Sequence, residues 1–391
     1  MTETRTWRQV FFADRKGSLE RKAPDTVFLL LVLLLLLCGT VMSFSASSVY
    51  GEQFYGDSTY FLRRYILFAV LSIGATVPIV LFAKPAFFRA FAVFLYAASI
   101  FLLVLVLIIG TVGGGAQRWL VLGPVTVQPS EIAKLALVLM LALVLSKHHD
   151  RVISQKPRGG ALRYGVLLPA ALIGAIGLLV AAEKHISGLL IIGMLGVAMM
   201  FLGGTRLRYL AVMAMAVAAA GVLLVLVSSY AQVRVDTWLH IEEIDPLGSA
   251  WQTLQGLYAI GSGGLFGQGL FAGRQKHGYV SQPQNDFIFT VICEELGFFG
   301  AFFILMLFLL LVLRGFRIAS RAPDHFSALA VYGISVKLAL QTVLNVAVVT
   351  NSMPNTGVSL PFFSSGGTFL AMQIFEMGIV LAISRYCTMR N

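Results

Sequence analysis

Residues 26–43 read TVFLLLVLLLLLCGTVMS, an almost unbroken apolar run near the start of the chain. A helix of about 20 apolar residues crosses the hydrocarbon core of a membrane. Further runs of this kind lie at residues 65–82, 90–110, 131–146, 166–182, 186–202, 209–229, 286–313, 326–351 and 366–386. The sequence therefore predicts an all-α integral membrane protein with ten transmembrane helices, folded as a single unit over residues 1–391.

The composition supports a membrane protein and argues against a soluble one. Hydrophobic residues make up 58% of the chain and charged residues only 12%, whereas soluble domains carry about 25% charged residues. Cys38, Cys293 and Cys387 are far apart and lie in or beside apolar runs. This spacing predicts small buried side chains and neither a disulfide framework nor a metal site.

The formal charge of +11 fits membrane topology better than nucleic-acid binding. With the N-terminus placed in the cytoplasm, 20 of the 29 Lys and Arg residues fall in cytoplasmic segments, as is usual for membrane proteins. The sequence thus predicts a multi-pass protein of the cytoplasmic (inner) membrane with both termini in the cytoplasm. It also predicts a cytoplasmic tail over residues 1–25 and no nucleic-acid partner.

The longest polar stretch covers residues 228–295, and its part 230–285 is predicted to form a large extracytoplasmic loop between helices 7 and 8. Within this loop Asp245 precedes Pro246, and Gly248 follows. Proline restricts the residue before it to extended conformations, so a carboxylate fixed in this way could act as a general base. The Asp-Pro-x-Gly spacing is also typical of a structural turn, and the spacing alone favours the turn.

Glycines and cations follow in the same loop. Residues 261–269 are rich in glycine, and their backbone N–H groups could approach a phosphate or could form a flexible loop. Arg274 and Lys276 come next, on the side where the positive-inside rule disfavours cations. A bound anion such as a diphosphate explains them, and so does contact with lipid headgroups.

A charged pair is expected inside the membrane-spanning part. Residues 128–131 read Gln-Pro-Ser-Glu, a pattern of helix starts, because proline suits the first turn and a carboxylate is favoured near the N-terminus. Glu131 and Lys134 are three residues apart and share one face of that helix. Such a pair is either structural or faces a cavity.

Two irregular segments are predicted on the outer side. Residues 113–119 are expected to form a short loop that carries Arg118 and Trp119. Residues 351–367 are interrupted by prolines and glycines before the last span. Non-helical backbone at membrane depth is tolerated where it lines a cavity, so a broken, re-entrant segment is predicted there.

Taken together in this order, the motifs of the chain resemble those of the SEDS proteins (shape, elongation, division and sporulation) over nearly its whole length. The motifs are Arg118-Trp119, Gln128-Pro129-Ser130-Glu131-x-x-Lys134, Asp245-Pro246-x-Gly248, Gly261-Ser262-Gly263-Gly264, Gln284-Asn285-Asp286-Phe287-Ile288-Phe289, Glu294-Glu295-x-Gly297 and Pro361-Phe362-x-x-x-Gly366-Gly367. Each is weak alone, and the ordered set is specific. Residues 183–188 and 274–286 are more similar to the FtsW and SpoVE members than to RodA.

The resemblance implies a peptidoglycan glycosyltransferase that polymerises lipid II at the outer face of the cytoplasmic membrane, in septal wall synthesis during cell division. It implies Asp245 as the catalytic base. The expected substrate-binding residues are Arg64, Arg118, Glu131, Lys134, Arg274, Lys276 and Ser364. The expected partners are lipid II, the nascent glycan, a class B penicillin-binding protein (a transpeptidase) and other divisome proteins. No cofactor is certain, and a divalent cation, Mg²⁺ or Mn²⁺, could assist Asp245.

Two other classes of function stay open from the sequence. A transporter that flips lipid II would also need spans with charged residues and a broken helix. A scaffold that only recruits wall enzymes would not need Asp245. The gathering of unusual polar residues on the outer side favours the enzyme, since a flippase needs polar groups on both sides of a midplane site.

Overall fold

The structure is a computed structural model, and it describes residues 21–113, 116–123, 125–153, 160–241 and 248–387. In chain order its helices are α1 (Thr26–Tyr55), α2 (Tyr60–Phe82), α3 (Pro85–Ile109), α4 (Pro129–Lys147), α5 (His149–Ile153), α6 (Leu168–Ala182), α7 (Ile186–Leu202), α8 (Leu207–Val227), α9 (Ser229–Leu239), α10 (Trp251–Gly263), α11 (Ile288–Ala319), α12 (His325–Val349) and α13 (Gly367–Ser384). One π-helical turn, Arg163–Leu167, leads into α6.

The helices confirm the predicted membrane fold. Within the described residues, nine helical segments are long and apolar enough to cross a membrane: α1 to α4, the π turn with α6, α8, and α11 to α13. Helix α7 is apolar as well and has 17 residues. Each of the ten apolar runs in the sequence therefore coincides with a helix.

Local sequence explains where these helices begin. The side chain of Asp25 caps α1 by accepting a hydrogen bond from the backbone N–H of Phe28 at 2.9 Å, which satisfies one of the free donors of a helix N-terminus. Helix α4 begins at Pro129 and has Glu131 in its first turn, as its sequence predicts. Asp324 caps α12 in the same way as Asp25 caps α1, by accepting from Ser327.

Helix α4 lies at the centre of the bundle. It packs against α3, α7 and α12, and most of its side chains are buried. Helix α13 packs mainly against α2, and α11 packs against α1 and α12. Helices α2 and α8 bury few of their side chains, so their exposed apolar surfaces face lipid. The bundle therefore places the first turn of α4 in its interior.

The expectation of a short loop at residues 113–119 is wrong. Strands β1 (Thr111–Gly113), β2 (Ala116–Leu122) and β3 (Val125–Val127) form a three-stranded antiparallel sheet. Trp119 pairs with Thr111 and Leu120 with Val127. The β-branched and aromatic residues of this stretch favour strands. The strands are so short that the sequence suggests a loop instead.

The predicted large loop between helices 7 and 8, which are α8 and α11, contains the helices α9 and α10. Its glycine-rich segment packs into a kink of α11 at Gly297, where φ is 68° and ψ is −169°. A Cβ atom on Gly297 would lie 2.2 Å from the backbone nitrogen of Gly267. The N–H groups of Gln268 and Gly269 donate to the carbonyls of Glu294 and Glu295 at 2.9 and 3.0 Å, so these two donors are already used within the protein.

Candidate functional site

A polar cavity of about 320 Å³ opens beside the first turn of α4. Its wall is built by β2, the start of α7, residues 282–286 and residues 357–366. The lining side chains include Arg118, Trp119, Gln128, Glu131, Lys134, His185, Ser187, Asn285, Asp286, Gln341, Ser359 and Ser364. The cavity thus brings together four of the predicted site residues, namely Arg118, Glu131, Lys134 and Ser364.

Glu131 and Lys134 form an ion pair at the base of the cavity. Lys134 Nζ lies 2.6 Å from Glu131 Oε1, and both side chains are almost completely buried. The other carboxylate oxygen, Glu131 Oε2, has no hydrogen-bond partner among the described residues. The pair therefore offers a fixed cation and a spare acceptor to a bound molecule.

Arg118 enters the cavity from strand β2. The pairing of β2 with β1 and β3 fixes its backbone, and its Nε is buried without a hydrogen-bond partner in the described part of the chain. A guanidinium group on a strand is positioned more firmly than one on a mobile loop, and it can bind phosphate oxygens with two parallel hydrogen bonds. Arg118 is therefore available to an anionic ligand.

Residues 357–366 supply the wall opposite α4. This segment precedes α13 and has no regular secondary structure. The side-chain amide of Asn345 donates to the carbonyls of Val358 and Asp286, at 2.7 Å each, and Tyr65 donates to the carbonyl of Phe362 at 2.5 Å. These bonds hold the segment in place and present Ser364 to the cavity, as the predicted re-entrant segment requires.

His185 is a cavity residue that the sequence pattern marked only as a family signature. It lies just before α7, is 5% exposed, and has Nδ1 3.1 Å from Ser130 Oγ. Burial, and then the nearby cations Arg118 and Lys134, hold the pKa of His185 well below its usual range. His185 is therefore neutral at pH 7 and can exchange a hydrogen bond, but not a charge, with a ligand.

Two acids near the cavity were also missed as site residues. Asp286 lines the cavity, and burial raises its pKa, while Arg118 and Arg234 act in the opposite direction. Glu183 is buried, with no hydrogen-bond partner for either carboxylate oxygen in the described residues. Burial raises the pKa of Glu183 to about 8, against a smaller lowering effect of Arg118. The signal available in the sequence was the proximity of Asp286 and Glu183 to the ends of apolar runs.

The three remaining predicted cations lie outside the cavity lining. Lys276 is buried against Glu295 at 2.7 Å, and its ammonium also donates to Ser45 Oγ and to the Phe271 carbonyl at 3.0 and 2.9 Å. Arg274 is exposed, and its backbone N–H donates to Glu294 at 2.7 Å. Arg64 lies over the ring of Tyr60 on α2. Their roles in substrate binding stay predictions.

A second cavity, of about 490 Å³, lies beside α9. Arg234, Trp238, Ser249, Gln252 and Asn355 are among its lining residues, and the Trp238 indole donates to the Asn351 carbonyl at 2.9 Å. Ser249 is four residues after Asp245 in the sequence. Asp245 itself lies outside the described residues, so its predicted role as catalytic base is not tested by the geometry.

The described residues contain no group of three His, Cys, Asp or Glu side chains arranged to hold a metal ion. Among the described residues, Glu131 and Asp286 are the carboxylates that line the first cavity. Mg²⁺ is commonly bound by one or two carboxylates together with substrate phosphates. A divalent cation in this cavity would therefore need oxygen ligands from the substrate or from outside the described residues.

Comparison with known proteins decides the family. The family model described as "Cell cycle protein", which covers FtsW, RodA and SpoVE, matches residues 25–389. The chain belongs to the FtsW/RodA/SpoVE family. This confirms the resemblance to the SEDS proteins.

Similar members of the family match along almost their whole length. The stage V sporulation protein E of Bacillus subtilis is 37% identical over 94% of this chain and 98% of the relative. The probable peptidoglycan glycosyltransferase FtsW of Trichlorobacter lovleyi is 40% identical over 92% of this chain and 93% of the relative. These names also agree with the predicted FtsW/SpoVE type within the family.

Solved structures of the family share the fold. The rod shape determining protein RodA of Thermus thermophilus is similar with a TM-score of 0.68 and 28% identity, over 94% of this chain and 99% of that one. A chain of a peptidoglycan synthase complex, in which polymerization and crosslinking are coordinated, has a TM-score of 0.74 and 29% identity over 93% of this chain and 98% of that one.

Proposed function

We propose that this protein is a peptidoglycan glycosyltransferase that polymerises lipid II at the outer face of the cytoplasmic membrane, in septal wall synthesis. The proposal rests on the cavity that joins Arg118, Glu131 and Lys134 in a chain that matches relatives named as peptidoglycan glycosyltransferases over most of its length. A lipid-linked diphosphate sugar suits such a cavity, because fixed guanidinium and ammonium groups bind phosphate oxygens well.

The reaction moves a sugar from a diphosphate to a hydroxyl group. The oxygen of the acceptor's 4-hydroxyl forms a bond to the anomeric carbon of the donor, and the bond from that carbon to the diphosphate oxygen breaks. The hydroxyl proton passes to Asp245, and undecaprenyl diphosphate leaves with the electron pair. A positioned general base contributes about 10²- to 10⁴-fold to the rate of such a step.

The cavity cations would act on the leaving group. Negative charge grows on the diphosphate as the bond breaks, and cations already in place stabilise it without reorganising. Arg118 and Lys134 are the cations that line the cavity, and Glu131 holds Lys134 in position. Ser364 and the neutral His185 would orient polar groups of the sugars. A divalent cation, if bound, would be held by carboxylates such as Glu131 and Asp286 and would add positive charge that stabilises the leaving diphosphate.

Membrane orientation and partners belong to the same proposal. The excess of Lys and Arg in the segments on one side supports cytoplasmic termini and an outward-facing cavity. The similar chain from a peptidoglycan synthase complex supports a partner that crosslinks. That partner is a class B penicillin-binding protein, and the complex acts with other divisome proteins at the division septum.

Purified protein supplied with lipid II tests the proposal. Asp245→Asn should fold and bind its partner but make no glycan. Asp236→Asn is the matched control, since Asp236 is an exposed acid of the same loop, with 67% of its side chain accessible, and it should polymerise normally. Normal polymer from Asp245→Asn would remove Asp245 from the role of base.

A lipid II flippase is the second candidate, and one observation favours it. Lys337 and Glu376 form a fully buried ion pair between α12 and α13, and Gln373 donates to Gln341 at 3.0 Å nearby. Polar groups therefore extend from the cavity into the membrane-spanning part, as a transport route would need. Translocation of lipid II in liposomes, measured beside polymerisation, separates the two functions.

A further inference from the structure

A second charged feature lies on the opposite side of the molecule, at the face that carries both described chain ends. It is a groove of about 290 Å³ between the start of α1 and the ends of α11 and α13. We call it the basic groove and define it by Lys22, Asp25, Thr26, Arg314, Arg317 and Arg321. Four of these six side chains are cations and one is an acid.

The single acid of the basic groove is already neutralised. Arg314 donates to both carboxylate oxygens of Asp25, at 2.9 and 2.7 Å, and the same carboxylate caps α1. The side chains of Lys22, Arg317 and Arg321 have no acidic partner within the described residues. The positive-inside rule explains cations on this face, but it does not explain why three cations without an acidic partner in the described part of the chain surround one concave site.

Exposed apolar side chains continue from the groove along both neighbouring helices. On α1, Thr26 lines the groove, and Leu30 and Leu37 follow on the same helix face with 60% and 62% exposure. On α11, Leu313 lies one turn before Arg317 and is 53% exposed. Residues four apart lie on one side of a helix, so exposed apolar side chains continue from the groove along one side of α1 and one side of α11.

We propose that the basic groove binds the phosphate of an anionic phospholipid, with its acyl chains lying along the exposed leucines of α1 and α11. The combination of cations and apolar path matches a molecule with a phosphate at one end and hydrocarbon at the other. Basic pockets between spanning helices at the cytoplasmic face are typical sites for anionic headgroups. A soluble phosphate would use the cations but gain nothing from the leucines.

The charge of the N-terminal tail makes it less suited to the basic groove than an anionic phospholipid. Residues 1–20 contain four Lys and Arg and three Asp and Glu, so the tail brings no net negative charge to a basic site. The lipid site does not depend on the proposed glycosyltransferase activity. Only its assignment to the inner leaflet depends on the proposed orientation.

Binding to the full-length protein in an uncharged detergent tests the proposal. The probes are short-chain phosphatidylglycerol, short-chain phosphatidylcholine and glycerol 3-phosphate, and native mass spectrometry counts the molecules retained. The wild type should retain phosphatidylglycerol in preference to the other two. Arg317→Gln/Arg321→Gln should bind it about tenfold to thirtyfold more weakly, because each cation near a headgroup contributes about 1 kcal/mol.

Two further variants control the result. Arg208→Gln removes an exposed arginine at the start of α8, outside the groove, and should bind like the wild type. Arg317→Lys/Arg321→Lys keeps both charges and should retain binding. Equal retention of phosphatidylcholine or glycerol 3-phosphate, an undiminished double Gln variant, or equal losses in the Lys and Gln variants would each overturn the proposal.

Discussion

Lys276 and Glu295 form a buried ion pair, with Lys276 Nζ 2.7 Å from Glu295 Oε1 and both side chains at most 3% exposed. The pair ties the loop after α10 to the first half of α11 and to Ser45 of α1. The sequence predicts that Lys276 binds an anionic group of the substrate. In the structure its charge is already matched inside the protein.

Loss of Lys276 should therefore reduce stability. Lys276→Met leaves Glu295 buried without a counter-charge, which costs about 3–5 kcal/mol. We expect a clear drop in melting temperature in detergent, measured by differential scanning fluorimetry. Arg274→Gln, at an exposed neighbour, should melt like the wild type. A Lys276→Met protein with wild-type stability and a raised KM would instead show that Lys276 binds substrate.

Glu183 should make stability depend on pH. Burial raises its pKa from an ordinary value of 4.5 to about 8, so the folded protein binds this proton more tightly than the unfolded chain does. The resulting stability is full below about pH 4.5 and is lost as the pH rises towards 8, by up to about 1.4 kcal/mol per pH unit.

Replacement of Glu183 by glutamine isolates that effect. Glu183→Gln cannot ionise, so it should melt above the wild type at pH 8.5 and close to it at pH 5. Melting curves over this range, measured on the two proteins in parallel, provide the check. A variant that is destabilised equally at both pH values would show that the carboxyl group has a structural role independent of its protonation.

Gly297 should be required for the packing of the glycine-rich turn. Its φ of 68° is left-handed, and a Cβ atom at this position would come within 2.2 Å of Gly267 N, so there is no room for a side chain. Gly297→Ala should lower stability by about 1–3 kcal/mol. Gly261→Ala is the matched control, because Gly261 is in α10 and a Cβ there would meet nothing within 4 Å. Equal melting temperatures for the two variants would contradict this interpretation.

The membrane-spanning helices could be predicted from the sequence because each one depends on a local run of apolar residues. Each apolar run, from residues 26–43 onwards, became a helix, since backbone groups in lipid must be bonded within the segment. The start of α4 was predicted for the same reason, because Pro129 and Glu131 act within one turn. Local chemistry therefore determined most of the fold.

The site was predicted only in part, because its contacts are long-range. Arg118 and Lys134 line the same cavity, whose other wall comes from residues 357–366. No local sequence pattern predicts that these distant segments come together. The partner of Lys276 lies 19 residues further along the chain, so the sequence could not separate a matched cation from a free one. His185 and Asp286 were missed because their burial depends on distant segments.

Polymerisation of lipid II by Arg118→Gln and Arg274→Gln tests most directly whether the cavity beside α4 holds the lipid diphosphate. Arg118 lines that cavity and Arg274 does not. Arg118→Gln should lower kcat/KM by about 10²- to 10³-fold, as expected when one charge-stabilising donor is removed. Arg274→Gln should lower it much less, because Arg274 does not line the cavity. The reverse ranking would contradict the account.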